Sequence, residues 1–570
     1  MRSAQRHKGG GRRPGDSRGA ECVGGLFTPN AGGVWHDVRM LTMLKTLTSV
    51  CLLLAALFTG SAGNAAPTAP ERPKLVVLIV IDGLPQRQID ANRSKFVADG
   101  FGRFLERGSW FANAHYDHAY TVTAAGHAVL LSGANPSRSG IIGNEWRDPD
   151  TGEPMYCAQD RSATYIGQRS QPHDGTSPKN LKVETVGDVL RRADPRSRVI
   201  AVSGKDRGAI MPAGKFGTAY MYMSSTGQFA SSTYYMSAHP AWVERFNAGK
   251  PADRYFKTSW TGNSAGLPIM YGAPQDDVPG PRYYGSLLQG PFADALVLDF
   301  ARAALAGEAL GQGDVPDILV ISLSGHDYVN HAFSAESELS QDHTLQIDRL
   351  LQAFFHDLDA RVGPDNYIAT LSADHGFMPT PEYSMKLGLE AGRIASGALL
   401  ARINTALEQR LGPGKWVTGF SAASLAMNRT WIAQQKLDAA AVAQLVKTLL
   451  LQEAGIAAAY TREELLDAQR STDPLFARMR KSWHAEVSGD VQFALKPNWM
   501  FGAGNLGATH GSPYDYDTHV PLMLWGPRWV RAAALPDRVG IVDLAPTLAR
   551  FLQIGAPATS EGRPLPMIEP

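Results

Sequence analysis

Asp82, Asp374 and His375 each stand just past a run of apolar residues. Asp327 and His331 follow another such run, four positions apart, a spacing that puts both side chains on one side of a helical turn. His510 lies in the Gly-flanked stretch THGSPYDYDTHVP. Together these six offer carboxylate oxygen and imidazole nitrogen without a thiolate, a donor set suited to zinc. Taken singly, each has a plainer reading. An Asp at a strand end is commonly a turn former or cap, an Asp-x-x-x-His pair a solvated helix face, and DHG a simple turn. They become ligands only if the apolar runs before them are strands of one sheet.

The stretch TVTAAGHAVLLSG, from Thr121 to Gly133, begins like a strand and ends like a helix. Thr123 at the junction is either an N-cap or a hydroxyl offered to an anion, since a helix N-terminus attracts phosphate. His127, one turn later, is expected to pack under that hydroxyl or to hydrogen-bond a ligand. His326 and His519, each close to a candidate ligand or its loop, read the same way. GKDRG carries Lys205 and Arg207 two positions apart just past an apolar run, where strand alternation would send both to one face. Asn144, in NEW, can donate a further hydrogen bond. A phosphate monoester carries about two negative charges, so cations gathered this way would stabilise it and its transition state.

Four apolar runs would position these residues: LVVLIVIDG, RVIAVSGKDRG, DILVISLSGHD and YIATLSADHG, each ending in Asp, Lys/Arg or His. A fifth, VPLMLWG from Val520, is preceded rather than followed by polar residues. Helical patterns such as VETVGDVLRRA and TLQIDRLLQAFFHDLDARV lie between the runs. The alternation predicts an α/β fold, a sandwich with a largely parallel central sheet and helices on both faces. In such sheets ligands collect beyond the carboxyl ends of the strands. The expected catalytic domain spans 74–566. It carries an insertion at about 208–290, rich in Tyr, Ser, Gly and Pro and read as a loop-rich cap, and a second at about 380–500.

The chain has 570 residues, 44% hydrophobic and 19% charged, with a formal net charge of +1, which gives no reason to expect a nucleic-acid partner. Residues 1–39 are Gly- and Arg-rich without apolar periodicity and read as a disordered or misassigned extension. Residues 40–66 have the layout of a signal peptide: Lys45, an apolar stretch too short to span a bilayer comfortably, then small residues. Cleavage between Gly63 and Ala66 would remove Cys22 and Cys51, leaving Cys157 alone and the mature chain without a membrane anchor. Export without disulfides fits a bacterial periplasm.

In order and spacing, Asp82, TAAGH at Thr123–His127, NEW, SGKDRG, DYVNH, ADHG and THGSPYDYDTHVP resemble the alkaline phosphatase superfamily. They are most similar to its bacterial periplasmic two-zinc phosphomonoesterase branch, which uses a threonine nucleophile, and the resemblance runs from about Lys74 to Leu565. It implies an alkaline-phosphatase-like sandwich with inserted cap segments. It also implies one zinc on Asp82, Asp374 and His375 that binds the Thr123 hydroxyl as well, and a second on Asp327, His331 and His510. Thr123 would form a phosphothreonine with the phosphoryl group of a small phosphate monoester. Asn144, Lys205 and Arg207 would contact the phosphoryl oxygens. A phosphodiesterase or nucleotide pyrophosphatase of the same superfamily is the alternative, although that branch typically lacks the Lys-x-Arg pair. A sulfatase is disfavoured, because TAAGH stands where a Cys/Ser-x-Pro-x-Arg segment would be needed. A non-catalytic, metal-stabilised binding protein is the reading from another class.

Overall fold

The run LVVLIVI forms strand β1 (Leu75–Ile81) with every side chain buried, because aliphatic residues without polar alternation suit a strand covered on both faces. The computed structural model describes residues 71–566 apart from 263, 468, 470, 471 and 503–506. The expected extension and signal peptide lie outside the described residues. Within them β1 is the middle strand of a nine-stranded sheet. The others are β2 (Ser109–His115), β3 (Val199–Ser203), β4 (Thr218–Met223), β5 (Gln228–Ala230), β6 (Asp317–Leu323), β7 (Tyr367–Ser372), β8 (Leu522–Trp525) and β9 (Ala533–Gly540). Their order is β9-β2-β8-β7-β1-β6-β3-β4-β5.

The sheet is largely parallel, as the alternation predicts. Strands β7, β1, β6, β3 and β4 pair in parallel, and only β5 and β8 run the other way. The register aligns Val80 with Ser372 on one side and with Ser322 on the other, and Ser322 with Ser203. Four neighbouring strands therefore end at one edge within about a residue of each other, and the loops that follow them open side by side. Strand β8 enters that edge from the opposite direction. Its polar residues precede the run because its amino end lies where its neighbours' carboxyl ends do.

Helices α1 (Thr123–Ser132), α2 (Asp206–Ala213), α3 (Pro291–Gly307), α4 (Gly325–Phe333) and α5 (Glu338–Val362) flank the sheet, and α1 is buried along its whole length. The segment expected as an insertion from about 208 departs from that reading. It first continues the central sheet as α2, β4 and β5, because TAYMYM buries its four middle residues against the core. The loop-rich part begins only after Ala230. Residues of the 380–500 segment share a hydrophobic cluster separate from that of the central sheet. An antiparallel sheet of Val417–Ser421, Ser424–Met427, Val491–Leu495 and Ile456–Thr461 packs with α6 (Ser396–Leu411) and α7 (Ala439–Leu451) around Leu399, Ile403, Trp416 and Val446. Among the described residues no helix is long and apolar enough to cross a membrane.

Candidate metal and phosphate site

The six candidate ligands, more than four hundred positions apart at the extremes, meet at the carboxyl edge of the sheet. Asp82 directly follows β1, Asp374 and His375 follow β7, and Asp327 and His331 lie one turn apart on α4 after β6. His510 comes from the loop leading into β8. His375 Nε2 lies 3.5 Å from Asp82 Oδ1 and 3.5 Å from Asp374 Oδ2. His331 Nε2 and His510 Nε2 lie 3.3 Å and 3.6 Å from Asp327 Oδ1.

All three imidazoles are held the same way. Nδ1 of His331, His375 and His510 sits 2.8, 2.8 and 2.9 Å from the backbone carbonyls of Ala508, Gly376 and Thr121. A carbonyl only accepts, so each Nδ1 carries the proton and each Nε2 faces inward, the arrangement that second-shell carbonyls impose on metal-binding histidines. Both carboxylate oxygens of Asp82, Oδ1 of Asp327, Oδ2 of Asp374 and Nε2 of His375 are buried without a hydrogen-bond partner. The Lys205 ammonium does come within 2.8 Å of Asp82 Oδ2, but without hydrogen-bond alignment. Each unpaired buried polar atom costs about 1–3 kcal/mol, and divalent cations would satisfy all five at once. The donor set and its geometry fit metal.

The grouping differs in one respect from the sequence-based expectation. Ligand atoms of Asp327, His331 and His510 lie within 4.8 Å of one another, and so do those of Asp82, Asp327 and His375. Asp327 thus borders both positions. Asp374 stands at the margin of the second: its Oδ1 accepts from the backbone N–H groups of Gly83 and His375, and its Oδ2 lies 3.1 Å from His127 Nδ1.

The electrostatics set the site's ionisable groups apart. Burial opposes ionisation of Asp327, but the Lys205 ammonium and then His331 outweigh it and hold its carboxyl well below the usual range. Burial likewise opposes charge on His375, yet Asp374, Asp82 and Asp327 raise its pKa to about 9. His510 stacks on His375 with ring centroids 3.5 Å apart, and burial together with that neighbour pushes its pKa well down.

Thr123 opens α1 but caps nothing; Val122 occupies the cap position. The N–H of Ala124 donates instead to Asn144 Oδ1 at 2.9 Å, so a residue twenty positions downstream does the capping and the threonine hydroxyl is spared. His127 lies fully buried beneath this turn, Nδ1 2.9 Å from the Thr123 carbonyl and Nε2 2.9 Å from Ser322 Oγ. Gly126 lets the helix lie against the Asp374 loop: a Cβ there would fall 1.9 Å from the Asp374 carbonyl oxygen.

Of the pair expected on one strand face, Lys205 reaches the ligand group, and it does so without strand alternation. The strand ends at Ser203; Lys205 occupies the position before α2 and Arg207 lies in its first turn. The two side chains therefore diverge. Lys205 Nζ is buried 2.8 Å from Asp82 and 2.5 Å from Asp327, whereas Arg207 Nη1 lies 3.2 Å from the Tyr156 hydroxyl, which itself donates to Asp206. His326 contacts Gln88 and His343, and His519 stacks on His115; neither joins the ligand groups.

Three supporting residues have no role assigned from the sequence, although Asn330 and Asp517 lie inside DYVNH and THGSPYDYDTHVP. Tyr156 holds Arg207 as just described. Asn330, between the DYVNH ligands, donates from Nδ2 to the Gly83 carbonyl at 3.0 Å. Asp517 accepts from the N–H groups of Gly511 and Ser512, and its carbonyl accepts from Gly376 N–H, so it ties the His510 loop to the His375 loop. Burial raises its carboxyl to about 7. The acid-rich DYD before β8 was the available clue.

The family model described as type I phosphodiesterase / nucleotide pyrophosphatase matches residues 76–517. Alkaline phosphatase PafA of Elizabethkingia meningoseptica is 31% identical over 92% of this chain and 99% of its own length. Alkaline phosphatase PhoV of Synechococcus elongatus is 32% identical over 90% of this chain and 98% of its own. The crystal structure of wild-type PafA covers 88% of this chain and 100% of its own, with a TM-score of 0.81 at 30% identity. The convergence of ligands at one sheet edge thus coincides with similarity along nearly the whole chain, and the protein belongs to the type I phosphodiesterase / nucleotide pyrophosphatase family of the alkaline phosphatase superfamily.

Proposed function

We propose that this protein is a periplasmic phosphomonoesterase that hydrolyses small phosphate monoesters through a phosphothreonine on Thr123. The observation that carries the reading is a threonine hydroxyl freed from capping at a buried helix start, beside carboxylate and imidazole atoms left unpaired in the protein. The names of the relatives PafA and PhoV, both alkaline phosphatases, support the monoester class.

In this reading Asp82, Asp374 and His375, with Thr123, would hold one zinc ion, and Asp327, His331 and His510 would hold a second. Such cations would supply charge neutralisation for the attacking and departing oxygens of an in-line displacement. Thr123 Oγ releases its proton to solvent and attacks phosphorus, the ester P–O bond breaks, and the alcohol leaves with that electron pair and takes a proton from solvent. Water then attacks phosphorus, the P–Oγ bond breaks with its electron pair on Oγ, Thr123 takes a proton from the attacking water and phosphate departs. Asn144 fixes the first turn of α1, whose backbone N–H groups favour an anion at that end. Lys205 and Arg207 add positive charge for a group carrying about two negative charges.

A diesterase reading draws on the description of the matching family model, while the Lys205–Arg207 pair argues for the monoester. Kinetics on a monoester and its matched methyl diester, with zinc measured in the same sample, separate them. A higher kcat/KM for the monoester is expected, and faster diester turnover overturns the proposal. Zinc-replete protein without esterase activity would favour the non-catalytic reading. Osmotic-shock fractionation checks the compartment: retention in the cytoplasm would refute export.

A further inference from the structure

A cavity of about 280 Å³ opens beside His510, between the catalytic sheet edge and the inserted unit at 380–500. Tyr120, Phe420, Phe493, Trp499 and Phe501 line it together with Met378, and among the described residues no Asp, Glu, Lys or Arg reaches its wall. Phe420, Phe493 and Phe501 meet edge to face, with centroids 5.3–6.1 Å apart, so the wall is a mutually braced aromatic surface. Such a wall repels a phosphoryl dianion, whose burial without partners is costly, and welcomes an apolar group. The size is sufficient, since a dry cavity of about 150 Å³ already takes benzene.

His510 belongs to both places. Its Nε2 faces Asp327 among the candidate ligands, and the same residue lines the aromatic cavity. On the phosphomonoesterase reading, the Asp327, His331 and His510 group serves the departing oxygen. The organic part of the substrate leaves from that side. The geometry points to this cavity as the leaving-group subsite, with an aromatic alcohol as its occupant. The protein is then a phosphatase with a built preference for aryl-bearing monoesters, and the inserted unit supplies the preference through Phe420, Phe493 and Phe501.

Benzyl phosphate and methyl phosphate test this, because their alcohols have similar acidity and differ mainly in the ring. With wild-type protein, kcat/KM for the benzyl ester is expected to exceed that for the methyl ester by about tenfold or more, the scale on which apolar pockets discriminate. Phe501→Ala should shrink that ratio at least fivefold, and using a ratio cancels any loss common to both esters. Calorimetric binding of benzylphosphonate against methylphosphonate gives a second readout without turnover, with tighter binding of the benzyl compound expected. Equal kcat/KM and equal binding in the wild type overturn the subsite while leaving the esterase reading intact. Tighter benzylphosphonate binding without turnover of either ester upholds the subsite and refutes the esterase reading.

Discussion

Replacing Gly126 by alanine sets two effects of opposite sign against each other. Gly126 lies in the second turn of α1, where Gly→Ala ordinarily stabilises a helix by up to about 1 kcal/mol. Here the new methyl would fall 1.9 Å from the Asp374 carbonyl oxygen, 2.6 Å from its carbonyl carbon and 2.9 Å from its Cα. All three are backbone atoms, so no side-chain rotation relieves the clash. To reach ordinary contact, α1 and the Asp374–His375 loop must part by about 1.5 Å. Overpacking of this kind costs about 1–3 kcal/mol against a propensity gain of at most about 1 kcal/mol, so a net loss of up to roughly 2 kcal/mol is expected. The catalytic loss should be larger in proportion. The displacement separates Thr123 from Asp374 and His375, and misplacement by about 1 Å costs around a hundredfold in rate. Gly397 provides the control: it sits near the start of α6 with nothing within 4 Å of the methyl that alanine would add, so Gly397→Ala should be neutral or stabilise by up to about 1 kcal/mol without affecting turnover. Urea unfolding gives the stability of each variant, and kcat/KM on a monoester gives the rate. Should Gly126→Ala match wild type in both, α1 does not press on the Asp374 loop and the placement of Thr123 described above is wrong.

Thr123→Ala should lower monoester turnover by at least about 10³-fold and abolish phosphate trapping on the protein while metal content stays near wild type; loss of metal would instead make Thr123 a structural ligand. Lys205→Ala or Arg207→Ala should cost about 10²–10³-fold on a monoester and less than tenfold on its methyl diester, and equal losses on both would count against a phosphoryl role. A chelator should abolish activity and lower Tm, since a ligand at a thousandfold excess over its Kd stabilises the folded state by roughly 4 kcal/mol, and an unchanged Tm would argue against a cation at the unpaired carboxylates. Cys157 is fully buried, which pushes its thiol pKa far up, so the leaderless native protein should not react with a disulfide reagent until it is unfolded.

The identities of the candidate ligands were legible because each stands at a local landmark. Asp82 ends an unbroken apolar run, Asp327 and His331 share one helical turn, and Asp374 precedes His375 just after β7. Strand and helix periods are short-range properties, so residue order alone was enough to recognise β1, β3, β6, β7 and the parallel alternation. β2 and β9 went unrecognised because polar residues and partial burial interrupt their patterns, and β4 and β5 because they lie in a Tyr- and Ser-rich stretch that reads as loop. Reading Lys205 and Arg207 as strand neighbours failed for a related reason: the strand stops at Ser203, and a helix begins where the alternation was assumed to continue.

By itself, then, the sequence determined which atoms could bind metal or phosphate and that they lie at element ends, since chemistry and periodicity are written residue by residue. Only the tertiary structure decided that β8 runs against its neighbours and so delivers His510 to the shared edge. It alone decided that Asn144 caps α1 so that Thr123 need not, that Asp327 borders both ligand groups, and that aromatic residues of the inserted unit wall a cavity beside His510. Each of these depends on pairing between segments tens to hundreds of residues apart, fixed by hydrogen-bond register and packing across the whole sheet and carried by no local period.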